Sequence, residues 1–458
     1  SMQKMEFSSF RDPSGVVFEE NGGIYRQINK IYMPQYRKLM DCGLAQNLQK
    51  NGMLIRHWET DAPCISDEGA LVIQAEKIPY VSYIYEWSFG QIKDAALLTL
   101  KMHRKALDAG MILKDASAYN IQFLHGSPVM IDTLSFDFYT AGEPWVAYGQ
   151  FCRHFLAPLL LMCYTDLRLN RLMELFIDGI PLDLASTLLQ GKGGLFAKQH
   201  ICWHAKSISK HSMDGRAGEQ RAAKAASLPL NLHIALIEGM IRGIEALELK
   251  NVQTEWGDYY QHTNYSESAS DSKLKLVFDM LTAIRPSTVW DLGANDGRYS
   301  KVALEVGASV VAFDIDPIAV ERNYTDVRRN RKEMLPLVLD LTNPSPGIGF
   351  ANQERKTIDQ RQHPDCILML AVIHHLAISN NLAFRQIAKW LSQITRDLII
   401  EFVPKEDSQV QILLATRVDI FPNYTQKDFT EAFGEYFELR SEERVGDSKR
   451  TLYHFHVR

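Results

Sequence analysis

The chain has 458 residues, with 50 Lys and Arg against 55 Asp and Glu, a formal net charge of −5 and 46% apolar residues. At ~100–200 residues per domain this length predicts two to four domains with cores of their own, which excludes a disordered polymer or a fibre. The acidic balance lacks the basic excess of a dedicated nucleic-acid binder, and the six scattered cysteines contain no Cys-x-x-Cys pair, so neither a nucleic-acid partner nor a disulfide framework is expected.

In chain order, the opening residues have no apolar secretory core, and residues 1–204 read as an α+β domain. Gly15–Phe18 and Gly23–Gln27 flank Asn21-Gly22, a hairpin signal. Gln91–Ala109 has helical spacing of apolar residues and leads into Lys114-Asp115, Asn120, the turn Gly126-Ser127-Pro128 and a strand ending in Asp132. Trp145–Tyr164 and Arg168–Leu189 read as helices, with Phe151, Phe155, Leu159 and Leu160 as core. The longest apolar run, Phe155 to Tyr164, is far short of the ~20 residues that span a bilayer. A cytoplasmic protein without a membrane span is therefore expected. His200-x-Cys202-x-His204 is the one tight cluster of ligand types, but its spacing does not match a common zinc pattern, and no metal is expected there.

The order Asp115, Asn120, hairpin, Asp132 resembles the catalytic and metal-binding loops of protein kinases and aminoglycoside phosphotransferases. That resemblance implies Asp115 near a substrate hydroxyl, with Asn120 and Asp132 holding magnesium on ATP. The pattern departs from the family: no glycine-rich loop of kinase form precedes it, Thr133-Leu134 follows Asp132, and Arg26 is the substitute for the usual strand lysine. These departures fit a domain that recognises an acceptor without transferring phosphate.

Residues 205–230 are polar and read as a linker. The third segment, 231–458, opens with the helical stretch Leu232–Leu249 and an aromatic stretch (Trp256, Tyr259, Tyr260, Tyr265) that reads either as a lid or as a cluster covering a sheet. Next comes the amphipathic Lys273–Ile284. Short β-branched runs then alternate with helical ones: Thr288–Leu292, Val310–Asp314, Leu335–Leu339, Ile367–Val372 and Leu398–Phe402 are the strands, and Arg298–Val306, Pro317–Arg329 and Ala383–Ile394 the helices. This predicts a parallel sheet with helices on both faces. Glu438–Val445 and Thr451–Val457 would add a hairpin at its edge, giving seven mixed strands.

Four features fall at the carboxyl ends of these strands, where open α/β sheets bind ligands. Asp291 ends an apolar strand and enters Gly293-Ala294-Asn295-Asp296-Gly297, a turn that lets the backbone approach a ligand. The spacing is Gly-x-x-x-Gly, which lacks the middle glycine of dinucleotide sites. Asp314, followed by Ile315, ends the second strand; Asp340-Leu341 follows the third; and Ala371, His374 and His375 follow the fourth. Together these residues resemble the class I S-adenosylmethionine-dependent methyltransferases, over roughly the last 190 residues, the size of one domain. The resemblance implies a Rossmann-like fold with S-adenosylmethionine as cofactor. Gly293 to Gly297 would then face the methionine end, Asp314 and Ile315 the ribose, Asp340 and Leu341 the adenine, with Tyr265 and Ala371 on the same pocket. The whole chain is also similar to bacterial methyltransferases associated with nodulation and surface polysaccharides.

For the acceptor side, His374, His375 and Glu401 are the candidate catalytic groups. A histidine there is either a base near neutral pH or a packed residue. The Asn-Pro-Pro-Tyr-type tetrapeptide of many amine-directed relatives is absent, which favours O- or C-methylation of a small-molecule or glycan acceptor.

Overall fold

The computed structural model describes residues 4–5, 10–206, 227–249 and 266–458. Trp256, Tyr259, Tyr260 and Tyr265 lie outside the described residues, as does linker segment 207–226. The chain divides into two units, residues 1–252 with 346–356, and residues 253–345 with 357–458. Among the described residues no helix is long and apolar enough to cross a membrane.

The first unit begins with a five-stranded antiparallel sheet: β1 (Lys4–Met5), β2 (Gly15–Glu20), β3 (Gly23–Asn29), β4 (His57–Thr60) and β5 (Gly69–Ala75), in the order β1-β2-β3-β5-β4. Asn21 and Gly22 join β2 to β3 with φ of 51° and 78°, the left-handed pair that matches strand twist in a two-residue turn. Helix Phe89–Asp108 starts just ahead of the expected Gln91, because Gln91 Oε1 accepts the Ser88 N–H at 2.8 Å and fixes the first turn. Two small hairpin-like pairs follow, β6 (Met111–Leu113) with β9 (Phe136–Phe138), and β7 (Ile121–Leu124) with β8 (Ser127–Met130).

The expected helix Trp145–Tyr164 is present with a change of pitch. A π-helical turn, Cys152–Leu156, precedes helix Ala157–Tyr164, whose Pro158 has no N–H to continue an α ladder. Arg168–Leu189 is interrupted between helices Leu172–Leu175 and Leu182–Leu189, around Gly179 and Pro181. Helix Leu230–Glu245 belongs to this unit, not to the segment after the linker that its position in the sequence suggests. Its buried stripe, His233, Ile237, Met240 and Ile244, packs on helix Phe89–Asp108, where His103 Nε2 and His233 Nε2 meet at 2.9 Å. Periodicity reveals an apolar face; it does not reveal the face's partner.

The second unit is a seven-stranded sheet: β10 (Thr288–Leu292), β11 (Ser309–Asp314), β12 (Met334–Val338), β13 (Cys366–Met369), β14 (Asp397–Phe402), β15 (Phe437–Arg444) and β16 (Thr451–Val457). The order is β12-β11-β10-β13-β14-β16-β15, with the first five strands parallel and β16 antiparallel to both its neighbours. This is the Rossmann-like mixed sheet expected of a class I methyltransferase. β13 and β14 are buried along their whole length, as continuous apolar runs covered on both faces must be. Pro336 is tolerated because β12 is an edge strand. Val277 and Leu281 of helix Glu267–Ile284 pack with Val289, Ala303, Val310, Leu368 and Ile399 in one continuous core. Strand order reverses at β10, between β11 and β13, which opens a crevice at the carboxyl ends of these three strands.

Candidate active site

Asp291 is buried near the end of β10, and its Oδ2 accepts Ser300 Oγ at 2.6 Å from helix Arg298–Glu305. Burial pushes its carboxyl up to about 7; the neighbouring Asp314 adds to the rise, while Ser300 and Lys273 oppose it. The turn that follows has Gly293, Asn295 and Gly297 in the left-handed region, at φ of 82°, 52° and 86°. The amides of Gly293 and Ala294 both donate to the Phe313 carbonyl, at 2.9 and 2.8 Å. A Cβ on Gly293 would collide with Val372, and one on Gly297 would sit 2.6 Å from Asn323 Oδ1. That oxygen is itself buried with no hydrogen-bond partner. The glycines therefore keep this turn close to the segments around it, as a site that takes a ligand against its backbone requires.

Asp314 ends β11 beside this turn. Its Oδ2 accepts the Asn295 N–H at 2.7 Å and its Oδ1 the Asp316 N–H at 2.9 Å. Burial raises this carboxyl to about 6 against those amide bonds. Asp291 and Asp314 thus stand at the ends of adjacent parallel strands, with Leu292 paired to Phe313. Ile315 is half-buried on the same rim. Asp340 and Leu341 are half-buried in the loop after β12, where Asp340 Oδ1 accepts both Thr342 N at 2.9 Å and Thr342 Oγ1 at 2.7 Å.

The fourth strand ends sooner than the expected Val372, because Ala371 turns to φ 55° and the chain enters a π-helical turn, His375–Ser379. His374 is buried and its Nδ1 has no hydrogen-bond partner. Burial, then the His375 ring 4.2 Å away, then Arg450 and Lys273, hold it well below the ordinary histidine range. His375 is half-buried and lowered to about 4 by burial and Arg450.

Glu401 requires a correction. It is not an open rim carboxylate but a fully buried one, bonded by Lys273 Nζ at 3.1 and 3.0 Å and by Arg450 Nη1 at 3.3 Å. Arg450 also grips Asp407 at 2.8 and 3.2 Å. Glu401 therefore belongs to a buried ion network beside β14 and does not stand on the open rim.

In the first unit Asp115, Asn120 and Asp132 come together. Asp115 Oδ1 accepts Ser117 N at 2.9 Å and Gln150 Nε2 at 2.8 Å, and burial and then Asp132 raise its carboxyl. Asn120 Nδ2 reaches Ser135 Oγ at 3.2 Å, and that hydroxyl donates to Asp132 Oδ2 at 2.6 Å. The other Asp132 oxygen is paired with Arg26, whose second arm reaches Asp12 at 3.2 Å. A guanidinium thus stands against the carboxylate that the kinase resemblance gives to magnesium. Among the described residues no group of three or more His, Cys, Asp or Glu is arranged to hold a metal ion.

Sequence reasoning missed Lys273, Asn323 and Arg450. Lys273 carried a signal: it lies four and eight residues before Val277 and Leu281, a charged residue on the apolar stripe of its helix.

The chain is similar to several known proteins. A methyltransferase-domain family model matches residues 260–427. Among solved structures, the N-methyltransferase NodS from Bradyrhizobium japonicum WM9 is 12% identical, with a TM-score of 0.31, covering 42% of this chain and 98% of that one. Magnesium protoporphyrin IX methyltransferase (ChlM) from Synechocystis PCC 6803 is 15% identical, also with a TM-score of 0.31, covering 44% and 93%. Residues 260–427 of the second unit thus match a methyltransferase domain, on a Rossmann-like mixed sheet. Nodulation protein NoeA of Rhizobium meliloti strain 1021 is 34% identical over 459 residues, 98% of this chain and 95% of that protein, and the chain belongs to the NoeA family.

Proposed function

We propose that this chain methylates an oxygen or carbon of a small-molecule or glycan acceptor, with His374 as the base. When bound, S-adenosylmethionine supplies an electrophilic methyl group on a sulfonium. In this reading Gly293, Ala294, Asn295 and Gly297 hold its methionine end, Asp314 and Ile315 its ribose, and Asp340, Leu341 and Ala371 its adenine and pocket floor. The fit rests on the chemistry of the turn: close-set glycines, two buried carboxylates and the buried unpartnered Asn323 oxygen are the donor and acceptor set of a polar, partly cationic ligand.

The observation that carries the acceptor reading is the buried, unpartnered Nδ1 of His374 just beyond β13. Burial keeps the imidazole neutral at pH 7, so it can take a proton from a hydroxyl or an acidic C–H. An amine acceptor is already a nucleophile and needs no such base. The test is methyl transfer from radiolabelled cofactor to a panel of saccharide and phenolic acceptors. His374→Asn should lower kcat by about 10²–10⁴-fold with S-adenosylhomocysteine affinity unchanged. Unchanged turnover would remove His374 from the chemistry.

The first unit is assigned acceptor recognition. The other reading, a kinase-like module binding Mg-ATP through Asp115, Asn120 and Asp132, requires a metal beside Asp132, and Arg26 already neutralises that carboxylate.

A further inference from the structure

The connection from β14 to helix Gln426–Gly434 contains helix Ser408–Ala415 and then an irregular strap, residues 416–424. The polarity of this strap is inverted. Val418 and Ile420 are 81% and 62% exposed, and Ile412 on the preceding helix is 53% exposed. Arg417 and Asp419, which alternate with the two strap aliphatics, turn back to the protein. Asp419 pairs with Lys405 at 3.1 and 2.9 Å, and Arg417 Nη1 donates to the carbonyls of Ile378 and Ser379, at 3.1 Å each. A surface segment ordinarily buries its apolar residues and leaves its charges in water, so here charged contacts, not apolar burial, fix residues 417–420. The two carbonyls end the π-helical turn His375–Ser379, which opens at His374. The last carbonyls of a helical turn have no donor of their own, and a charged donor makes the stronger bond. Asn380 Nδ2 on the His375 carbonyl, at 2.9 Å, and Leu382 N on the Leu376 carbonyl, at 3.1 Å, brace the turn from its own flank. Arg417 braces it from 39 and 38 residues away. His374 has no hydrogen bond at Nδ1 to fix its ring, so packing and the backbone of this turn set the ring's aim.

We propose that Arg417 is a positioning residue for methyl transfer. It touches no reacting atom. By gripping the end of the turn it holds the backbone from which His374 and His375 project, and with it the aim of both rings at an acceptor. The inference rests on His374 as the base. A displacement of ~1 Å in a catalytic group can cost about a hundredfold in rate, so a turn freed at one end loses turnover before it loses cofactor affinity. One nitrogen, Nη1, makes both bonds, so the planar fork of the guanidinium is not needed and lysine is the conservative replacement. Methionine has an unbranched stem and no N–H to donate.

The test uses the full chain, labelled in its histidine rings, with two readouts. One is the imidazole NMR signals, assigned through His374→Asn and His375→Asn. The other is kcat on the member of the saccharide and phenolic panel that wild type methylates fastest. Arg417→Met should shift the His374 and His375 signals and lower kcat by about tenfold or more, with S-adenosylhomocysteine affinity within about twofold of wild type. Arg417→Lys should return both readouts most of the way to wild type. Asp419→Asn, which loosens the same strap by removing its pair with Lys405, should leave kcat and both signals unchanged. Arg417→Met with wild-type kcat, or with unmoved imidazole signals, overturns the inference. So does an Arg417→Lys variant as impaired as Arg417→Met, or an Asp419→Asn variant that matches its loss. If His374→Asn turns over like wild type, the base assignment fails and takes this inference with it; if His374→Asn is impaired and Arg417→Met is not, the inference alone fails.

Discussion

Replacing Asp291 by Asn should stabilise the cofactor-free protein at alkaline pH, the reverse of the usual result for a polar residue at a strand end. Asp291 is fully buried and its carboxyl is raised from 3.8 to about 7. A carboxyl raised in the folded state favours folding below its ordinary range and loses that advantage as pH climbs through its folded value. Across roughly three decades at ~1.4 kcal/mol each, ionising Asp291 without the cofactor costs about 4 kcal/mol at pH 8 as an upper limit, and about 2–4 kcal/mol after local relaxation. Asparagine keeps an oxygen for the Ser300 hydroxyl and carries no charge. Denaturant unfolding should therefore find wild type and Asp291→Asn alike near pH 4, with the variant ahead by ~2–4 kcal/mol at pH 8. Hydrogen exchange in β10 and β11 would localise the gain to the second unit. A wild type whose stability is flat or rising from pH 5 to 8, or a variant less stable at pH 8, would refute the reasoning. The same charge makes the variant a weaker binder of S-adenosylmethionine, because the ionised carboxylate is the form a cationic ligand selects.

Gly297→Ala must adopt φ near 86° and bring its Cβ within 2.6 Å of Asn323 Oδ1, so it should lower stability by about 1–3 kcal/mol and weaken S-adenosylhomocysteine more than tenfold. Thermal melts with and without ligand check both. In the first unit, Mg-ATP should produce no binding heat with wild type, because Arg26 stands against Asp132. Saturable binding abolished by Asp132→Asn would reverse that expectation.

What was legible in the sequence was local in the chain. The alternation of strands and helices fixes the parallel sheet, and the run from Asp291 to Gly297 announces its turn because only glycine and asparagine accept those left-handed positions readily. Asp314 follows from its place at a strand end. What was not legible depends on partners far apart in sequence. Glu401 ends an apolar strand, which fits an open rim and a buried ion pair equally; only Lys273, 128 residues earlier, and Arg450, 49 residues later, decide between them. Arg26 and Asp132 are separated by 106 residues, and no local pattern predicts that they pair. Helix Leu230–Glu245 shows its apolar stripe plainly while leaving its partner, helix Phe89–Asp108, undetermined.

The most direct test of the cofactor pocket is titration of the full chain with S-adenosylhomocysteine, for wild type and for Asp314→Ala. Removing Asp314 takes away the carboxylate that ties the Asn295 amide to the end of β11 and is placed to accept ribose hydroxyls. The account predicts one site per chain in wild type and a loss of at least a hundredfold in the variant. Equal affinity in the two proteins, or no binding to wild type, would contradict it.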